Sequence, residues 1–443
     1  MNSKKTISIN VEYLTRVEGH GNIIVNVKGG RLEECRLDIV EAPRFFEGIL
    51  RGRSVFEAQH ITSRICGICS CGHTLASIQA AEDALGIAPS DQTIKLRKLL
   101  LHFETLDSHI LHIYLLAAPD LLGVKSFVPL IDTHNQVVRR ALRMKKACCD
   151  LCDILVGRHV HPISAVVGGF TKLPSESDLD AMLTILKAMK PDMDATVEFA
   201  RTLKFPEFGR DTEYVALVSD GPEYPMLAGD IGSTDGVRVG KKEYRKVTNE
   251  FIVPHSSAKH TRLSRDSYAV GALARFNLNS EKLHPSARAV ASAIGLKPRC
   301  INPYLNTAAQ LVECVHCLED SIRTVEDFKT SGVNHDECIT VGLNENRVIP
   351  VRAGTGFGAV EVPRGILFHN YEIDDKGMIL NANCIIPTNQ NLNNIEHDMK
   401  KLVPEIIEKT EEEITLALEM LVRAYDPCIS CSTHFLNVRF VAR

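Results

Sequence analysis

The sequence predicts a mainly α fold with β appendages: a large helical-bundle core behind an N-terminal β meander. Three observations carry this prediction. Six long stretches place apolar residues at helical spacing. The N-terminal segment and a later glycine-rich tract carry the β-branched clusters and turn residues of strands. The 443 residues are 44% hydrophobic and 24% charged, as in an ordinary globular protein, and hold no apolar run long enough for a membrane span.

Taken in order, residues 6–42 read as strands, with ISINVEYL, HGNIIVNVK and CRLDIVEA alternating or clustering β-branched residues. The Gly29–Gly30 pair supplies a hairpin turn. From about Ser63 the pattern becomes helical and runs to Gly86 and Pro89, a normal helix stop. Residues 93–120 continue as helix up to Pro119, and 130–158, 178–204, 303–330 and 396–424 read as further long helices. Residues 208–258, rich in Gly, Tyr and Val, read as a β-rich excursion. The stretch Gly354–Gly358 leads into strands with a turn at Asp375–Gly377. No internal repeat or low-complexity tract divides the chain, so residues 1–434 read as one domain.

Composition narrows the function. A net charge of −4 argues against a nucleic-acid binder. An aromatic content of 6% with no tryptophan argues against a stacking platform for bases or sugars. The start, MNSKKTISINVEYL, has no apolar core or small-residue cleavage site, so no export signal is expected. With 14 cysteines and no export signal, metal binding or redox work is favoured over disulfides. Four CxxC pairs stand out: Cys66/Cys69, Cys149/Cys152, Cys314/Cys317 and Cys428/Cys431.

A CxxC pair at a helix start can put two sulfurs on one metal, and the helix N-terminus favours thiolate. One pair gives two ligands, and a soft metal usually takes four. Cys66/Cys69 near one end and Cys428/Cys431 near the other would therefore have to meet. Spacing alone leaves a closed zinc site and a redox metal equally open. Cys149/Cys152 and Cys314/Cys317 lie inside amphipathic helices and read as packing cysteines. No run of cluster-binding cysteines exists, so an electron relay would lie on another chain. His255 and His260, in VPHSSAKH, receive no role.

The words around the outer pairs, RICGICSCGH and DPCISCSTH, closely resemble the two signature motifs of nickel–iron hydrogenase large subunits. TRVEGHGN, PRFFEGILRGR, HVHPISAVVGGF, GAVEVPRGILFH and CIIPTNQN resemble further motifs of that family, in the family's order. The resemblance implies a helical core of the hydrogenase large-subunit type and reversible heterolytic cleavage of H2. It also implies a nickel–iron centre whose iron carries CO and cyanide. Cys66 and Cys428 would be terminal nickel ligands, while Cys69 and Cys431 would bridge to iron.

By the same resemblance Glu18 is the proton gate, and Arg364, after Pro363, hangs over the open metal position with Asp426 orienting it. His73 would donate a hydrogen bond to a bridging sulfur, and Thr388 would bond a cyanide. Glu47 and His434, with the peptide carbonyl of Cys384, would bind Mg2+ or a similar divalent ion. Salt bridging between Glu18 and Arg16, a plain Arg364–Asp426 pair and a core role for His73 are the structural alternatives.

The implied partners are an iron–sulfur small subunit, further electron-transfer subunits, a maturation protease and nickel-insertion proteins. No nucleic acid and no membrane span are expected. ICSCGHTLAS, PRGILFHNY and PTNQN look like the cytoplasmic, multi-subunit hydrogenases tied to heterodisulfide reductase or sulfhydrogenase partners. Residues 435–443, FLNVRFVAR, read as an extension removed on maturation, although they alternate well enough for a final strand. The competing readings are a zinc-binding scaffold and a complex-I-like subunit. The latter is disfavoured because both outer CxxC pairs are intact.

Overall fold

The structure, a computed structural model, describes residues 6–338 and 349–433, so His434 and the segment 435–443 lie outside the described residues. Strands β1 (Ile7–Val11), β2 (Gly21–Lys28) and β3 (Arg31–Ile39) form an antiparallel sheet in that order. Ile7, Ile9, Ile23, Val25, Leu37 and Ile39 alternate onto its buried face. Gly29 and Gly30 join β2 to β3 with φ of 55° and 75°, as a tight hairpin turn requires.

Nine helices of eight residues or more follow among the described residues: α1 (Ser70–Leu85), α2 (Asp91–Leu111), α3 (Asn135–Val156), α4 (Glu176–Thr202), α5 (Ala272–Asn279), α6 (Pro285–Ala293), α7 (Asn306–Ser331), α8 (Pro387–Ile406) and α9 (Glu411–Ala424). Helices α2, α3, α4 and α7 close into a bundle, α2 and α4 each packing against both α3 and α7. The bundle buries Leu96, Leu100 and Phe103 of α2 with Leu311, Val315 and Leu318 of α7, each set at three- and four-residue spacing. Cys152, Cys314 and Cys317 are buried in these helices, and Cys149 is half-buried.

A small pair of strands, β4 (Ala165–Val166) and β5 (Gly169–Phe170), lies between α3 and α4. Between α4 and α7 the chain makes short strands β6 (Glu213–Val218), β7 (Asp230–Ser233), β8 (Arg238–Val239) and β9 (Tyr268–Ala269), joined in the order β8-β7-β6-β9. A last antiparallel sheet, β10 (Gly354–Val362), β11 (Gly365–Ile373) and β12 (Ile379–Ile385), runs against α1.

The glycines of β10 explain that contact. A Cβ on Gly354, Gly356 or Gly358 would stand 2.5, 2.0 and 2.0 Å from the carbonyl oxygens of Ala84, Ala80 and Ala76. Alternate glycines on the strand thus meet alanines four apart on α1, letting backbone lie on backbone. This close approach carries β10 towards the start of α1 and delivers Pro363 and Arg364 there.

Several sequence expectations need correction. The helix expected from about Ser63 is only a 3-10 turn at Ser63–Ile65, and α1 starts at Ser70. The intervening N–H groups of Ile68 and Cys69 turn to the Cys66 sulfur instead, at 3.2 and 3.3 Å. The single helix expected over 396–424 is two. The first starts earlier, with Pro387 in its first turn, where a missing N–H costs nothing. The second is opened afresh by the capping box of Thr410 and Glu413. The region 208–258 holds only β6, β7 and β8 besides a 3-10 turn and a short helix, Tyr244–Thr248. Helices α5 and α6 went unrecognised, being short.

Candidate metal centre

The centre is built where the segment carrying Cys66 and Cys69 meets the segment carrying Cys428 and Cys431, at the N-terminus of α1. Cys69 is the residue before α1, and Cys428 is the residue before a four-residue helical turn, Ile429–Ser432. Cys66 and Cys428 sulfurs are 3.4 Å apart, and Cys69 and Cys431 sulfurs 3.8 Å. All four lie within 4.8 Å of one another, and all four residues are buried.

The arm carrying Cys428 and Cys431 is held from three sides. The Glu18 carbonyl accepts the Ile429 N–H at 2.8 Å. The Arg44 guanidinium donates to the Ile65 carbonyl at 2.6 Å and also to the Ser430 carbonyl, stapling the two cysteine segments together. Thr388 Oγ1 accepts the Cys428 N–H at 3.0 Å.

Four buried sulfurs in one cage cannot all ionise by themselves. Hydrogen bonds from Cys428, Cys431 and Cys69 pull the Cys66 thiol well below the usual range. Although Cys428 and Cys431 also bond to Cys69, its thiol is pushed up to about 11 by Cys66 and by burial. Burial drives Cys428 and Cys431 far upward. Four thiolates would need a soft cation at their centre, and the donor set fits one.

A closed structural zinc site would need only the sulfurs; this one has chemical groups aimed at them. Glu18 Oε2 lies 3.1 Å from the Cys428 sulfur and accepts the Ser430 N–H at 3.0 Å. Arg16 does not pair with Glu18; it binds Asp120 and the Leu116 carbonyl. Arg364 is 4% exposed. Burial works against its charge, but Asp426 and the sulfurs of Cys428, Cys69 and Cys66 hold its pKa well above the ordinary value. Its Nε donates to the Asp426 carbonyl at 2.6 Å, its Nη2 to Asp426 Oδ1 at 2.8 Å and its Nη1 to Ser108 at 3.2 Å. Asp426 adopts a left-handed φ of 51° just before Pro427.

His73, in the first turn of α1, sits with Nδ1 at 3.2 Å from His369 Nε2, and His369 Nδ1 meets the Tyr371 hydroxyl at 2.7 Å. Glu47 Oε1 accepts the Cys384 N–H at 2.8 Å and Asn383 Nδ2 at 3.0 Å. Glu47 thus meets Cys384 through the peptide N–H.

Sequence reasoning missed Arg44, although it stands inside PRFFEGILRGR. It also missed Arg275, buried with Glu313 and Glu361. Arg275 donates to the carbonyls of Val362 and Pro363 at 2.9 and 3.0 Å, and so fixes the backbone that presents Arg364. Gln310, which donates to Asp426 Oδ2 at 3.2 Å, carried no signal of its own. Glu104 accepts the Cys71 and Gly72 N–H groups at the start of α1, and burial pushes its carboxyl up to about 8.

Fold and site together define a class: a helical protein with a buried four-cysteine cage fit for a soft metal, flanked by a carboxylate and a guanidinium. The family described as Nickel-dependent hydrogenase matches residues 44–135 and 239–434, and one described as HoxL-like matches residues 8–42. The alpha subunit of sulfhydrogenase 1 from Pyrococcus furiosus is 32% identical over 98% of this chain and 99% of its own. The alpha subunit of sulfhydrogenase 2 from the same organism is 33% identical over 97% and 100%. The vhc F420-non-reducing hydrogenase of Methanococcus voltae matches at 28% identity over 97% of this chain and 95% of the matching protein.

Among solved structures, an NAD+-reducing [NiFe]-hydrogenase in the H2-reduced state superposes with a TM-score of 0.85 at 27% identity, over 98% of this chain and all of that one. The Ni-Fe-Se hydrogenase of D. vulgaris Hildenborough, at 21% identity, shares the fold with a TM-score of 0.74 over 97% and 100%. The chain belongs to the nickel-dependent hydrogenase family and is a catalytic large subunit, an oxidoreductase acting on H2. Among the described residues no helix is long and apolar enough to cross a membrane.

Proposed function

We propose that Cys66, Cys69, Cys428 and Cys431 would hold a nickel–iron centre, Cys66 and Cys428 as terminal nickel ligands and Cys69 and Cys431 shared with an iron that would carry CO and cyanide. The observation that carries this is the convergence of four buried sulfurs from opposite ends of the chain, with Glu18 against one of them. When bound, the centre supplies the reversible heterolysis of H2 into protons and electrons.

The chain's own groups then do the rest. Glu18 takes the proton from the Cys428 sulfur, its Oε2 held in line by the Ser430 N–H. Arg364 presents a fixed positive charge at the cage, oriented by two hydrogen bonds to Asp426. His73 would donate a hydrogen bond to a bridging sulfur, and the Thr388 hydroxyl, which accepts the Cys428 N–H, would donate to a cyanide. Arg364→Lys keeps the charge and loses the planar fork, so hydrogen turnover should fall by at least about 10²-fold, with nickel content unchanged. An unchanged rate would make Arg364 a structural residue.

We further propose that Glu47, the Cys384 carbonyl and His434 hold Mg2+ or a similar divalent ion. Removal of residues 435–443 by a maturation protease, after nickel insertion, leaves His434 as the terminus. Intact-mass spectrometry of the active enzyme should show loss of Phe435–Arg443; an active form that keeps all 443 residues contradicts this step and the role of His434. Iron–sulfur partner subunits receive the electrons, a reading supported by the likeness to proteins named as alpha subunits. A cytoplasmic setting is supported by the resemblance of ICSCGHTLAS, PRGILFHNY and PTNQN to the cytoplasmic, multi-subunit hydrogenases.

A further inference from the structure

Outside the cysteine cage the structure gathers a second set of metal-ligating side chains. His255, His260 and Glu396 each bring a ligand atom within 4.8 Å of the others. The histidines come from VPHSSAKH, the segment between the Tyr244–Thr248 helix and β9, and Glu396 comes from α8. His255 Nε2 lies 2.7 Å from Glu396 Oε1. The same oxygen accepts the Leu37 N–H of β3 at 3.1 Å, which fixes the carboxylate.

His260 is 1% exposed, and its Nε2 has no hydrogen-bond partner among the described residues. The Phe251 and His255 rings pack edge-on against it. A buried imidazole nitrogen left without a partner carries the full cost of its lost hydration. The His255 side chain is 21% exposed, so the cluster is reachable from solvent. The nearby cations leave it negative enough for a metal. Lys259 is tied to Glu250 at 2.8 Å, and Lys400 donates to Glu396 Oε2 at 3.4 Å from a 45% exposed position, leaving Oε1 to face the histidines.

A comparable group, His102, His316 and Asp320, is less suited. His316 Nδ1 accepts the His284 N–H at 3.0 Å, which leaves the ring proton on Nε2, and Lys98 and Arg323 already neutralise Asp320.

We propose that His255, His260 and Glu396 form a second metal site, for a divalent transition-metal ion of borderline softness such as zinc. Two imidazoles and a carboxylate are the donor set of that class, with a fourth position left to solvent. Binding exchanges the proton between His255 and Glu396 for the ion. An ion there ties the 249–267 segment to β3, through the carboxylate that holds Leu37, and to α8. The Lys259 carbonyl in that segment accepts from Asn389, which also holds the Ser432 carbonyl, so the ion braces the wall behind the arm that carries Cys431.

The test is zinc uptake by the nickel-loaded enzyme, equilibrated with zinc sulfate, desalted and analysed for zinc and nickel by plasma mass spectrometry. About one zinc per chain is expected in addition to nickel. His255→Gln, at the half-buried rim, should lower zinc affinity by at least about tenfold while nickel content stays the same. Glu396→Gln retains an acceptor for Leu37 and should lower it as much. A wild-type enzyme that takes up no zinc overturns the proposal. Variants that both retain zinc as tightly as wild type overturn it too, because the ion is then on other groups.

Discussion

Replacing Cys69 by serine is expected to leave a folded chain that holds neither nickel nor iron and turns over no hydrogen. Cys69 is at once the residue capping α1 and one of four converging sulfurs, 3.8 Å from Cys431. A hydroxyl stays protonated where a thiol in this cage gives up its proton to a metal, and it is a hard donor where a soft one is needed. The loss should be complete, well beyond the effect of removing one orienting group, because the centre cannot close with three sulfurs. Elemental analysis and hydrogen-oxidation assays check this together, with circular dichroism to confirm the fold. A nickel-loaded, active Cys69→Ser enzyme would remove Cys69 from the site.

The second large effect is expected at Glu18. Glu18→Gln preserves the shape of the side chain and an oxygen to accept the Ser430 N–H, but it cannot carry a proton away. Hydrogen turnover and hydrogen–deuterium exchange should fall by roughly 10²–10⁴-fold, the range of a lost general acid–base group, while both metals remain. Retained metals with lost exchange separate a proton-transfer role from a structural one. Exchange at the wild-type rate would mean that protons leave the Cys428 sulfur by another route.

What the sequence disclosed and what it withheld divide along a physical line. Spacing marked Cys66/Cys69 and Cys428/Cys431 as two of four CxxC pairs, and it was the resemblance of the words around them that singled out these two; that their sulfurs meet is what the structure adds. The strands of the first sheet were legible because Ile23, Val25 and Leu37 alternate and Gly29–Gly30 can only turn.

Contacts between distant segments left no local trace. Arg44 staples Ile65 to Ser430 across the chain, and Arg275 holds the Val362 and Pro363 carbonyls from another helix. In a single sequence each reads as one more arginine. The glycines of β10 were visible, but their reason was not, because it lies in the matching alanines of α1. The break between α8 and α9 was missed because apolar periodicity runs on through it, while a capping box at Thr410 decides the matter. His255 and His260 carried no pattern at all until α8 brought Glu396 between them.

The central claim is that this cage holds nickel and iron together rather than zinc. The most direct measurement is the metal content of the enzyme purified from a host able to mature it, read alongside its infrared spectrum. The account predicts about one nickel and one iron in the cysteine cage, with infrared bands from CO and cyanide on the iron. Zinc in the cysteine cage, with no nickel and no such bands, would contradict it.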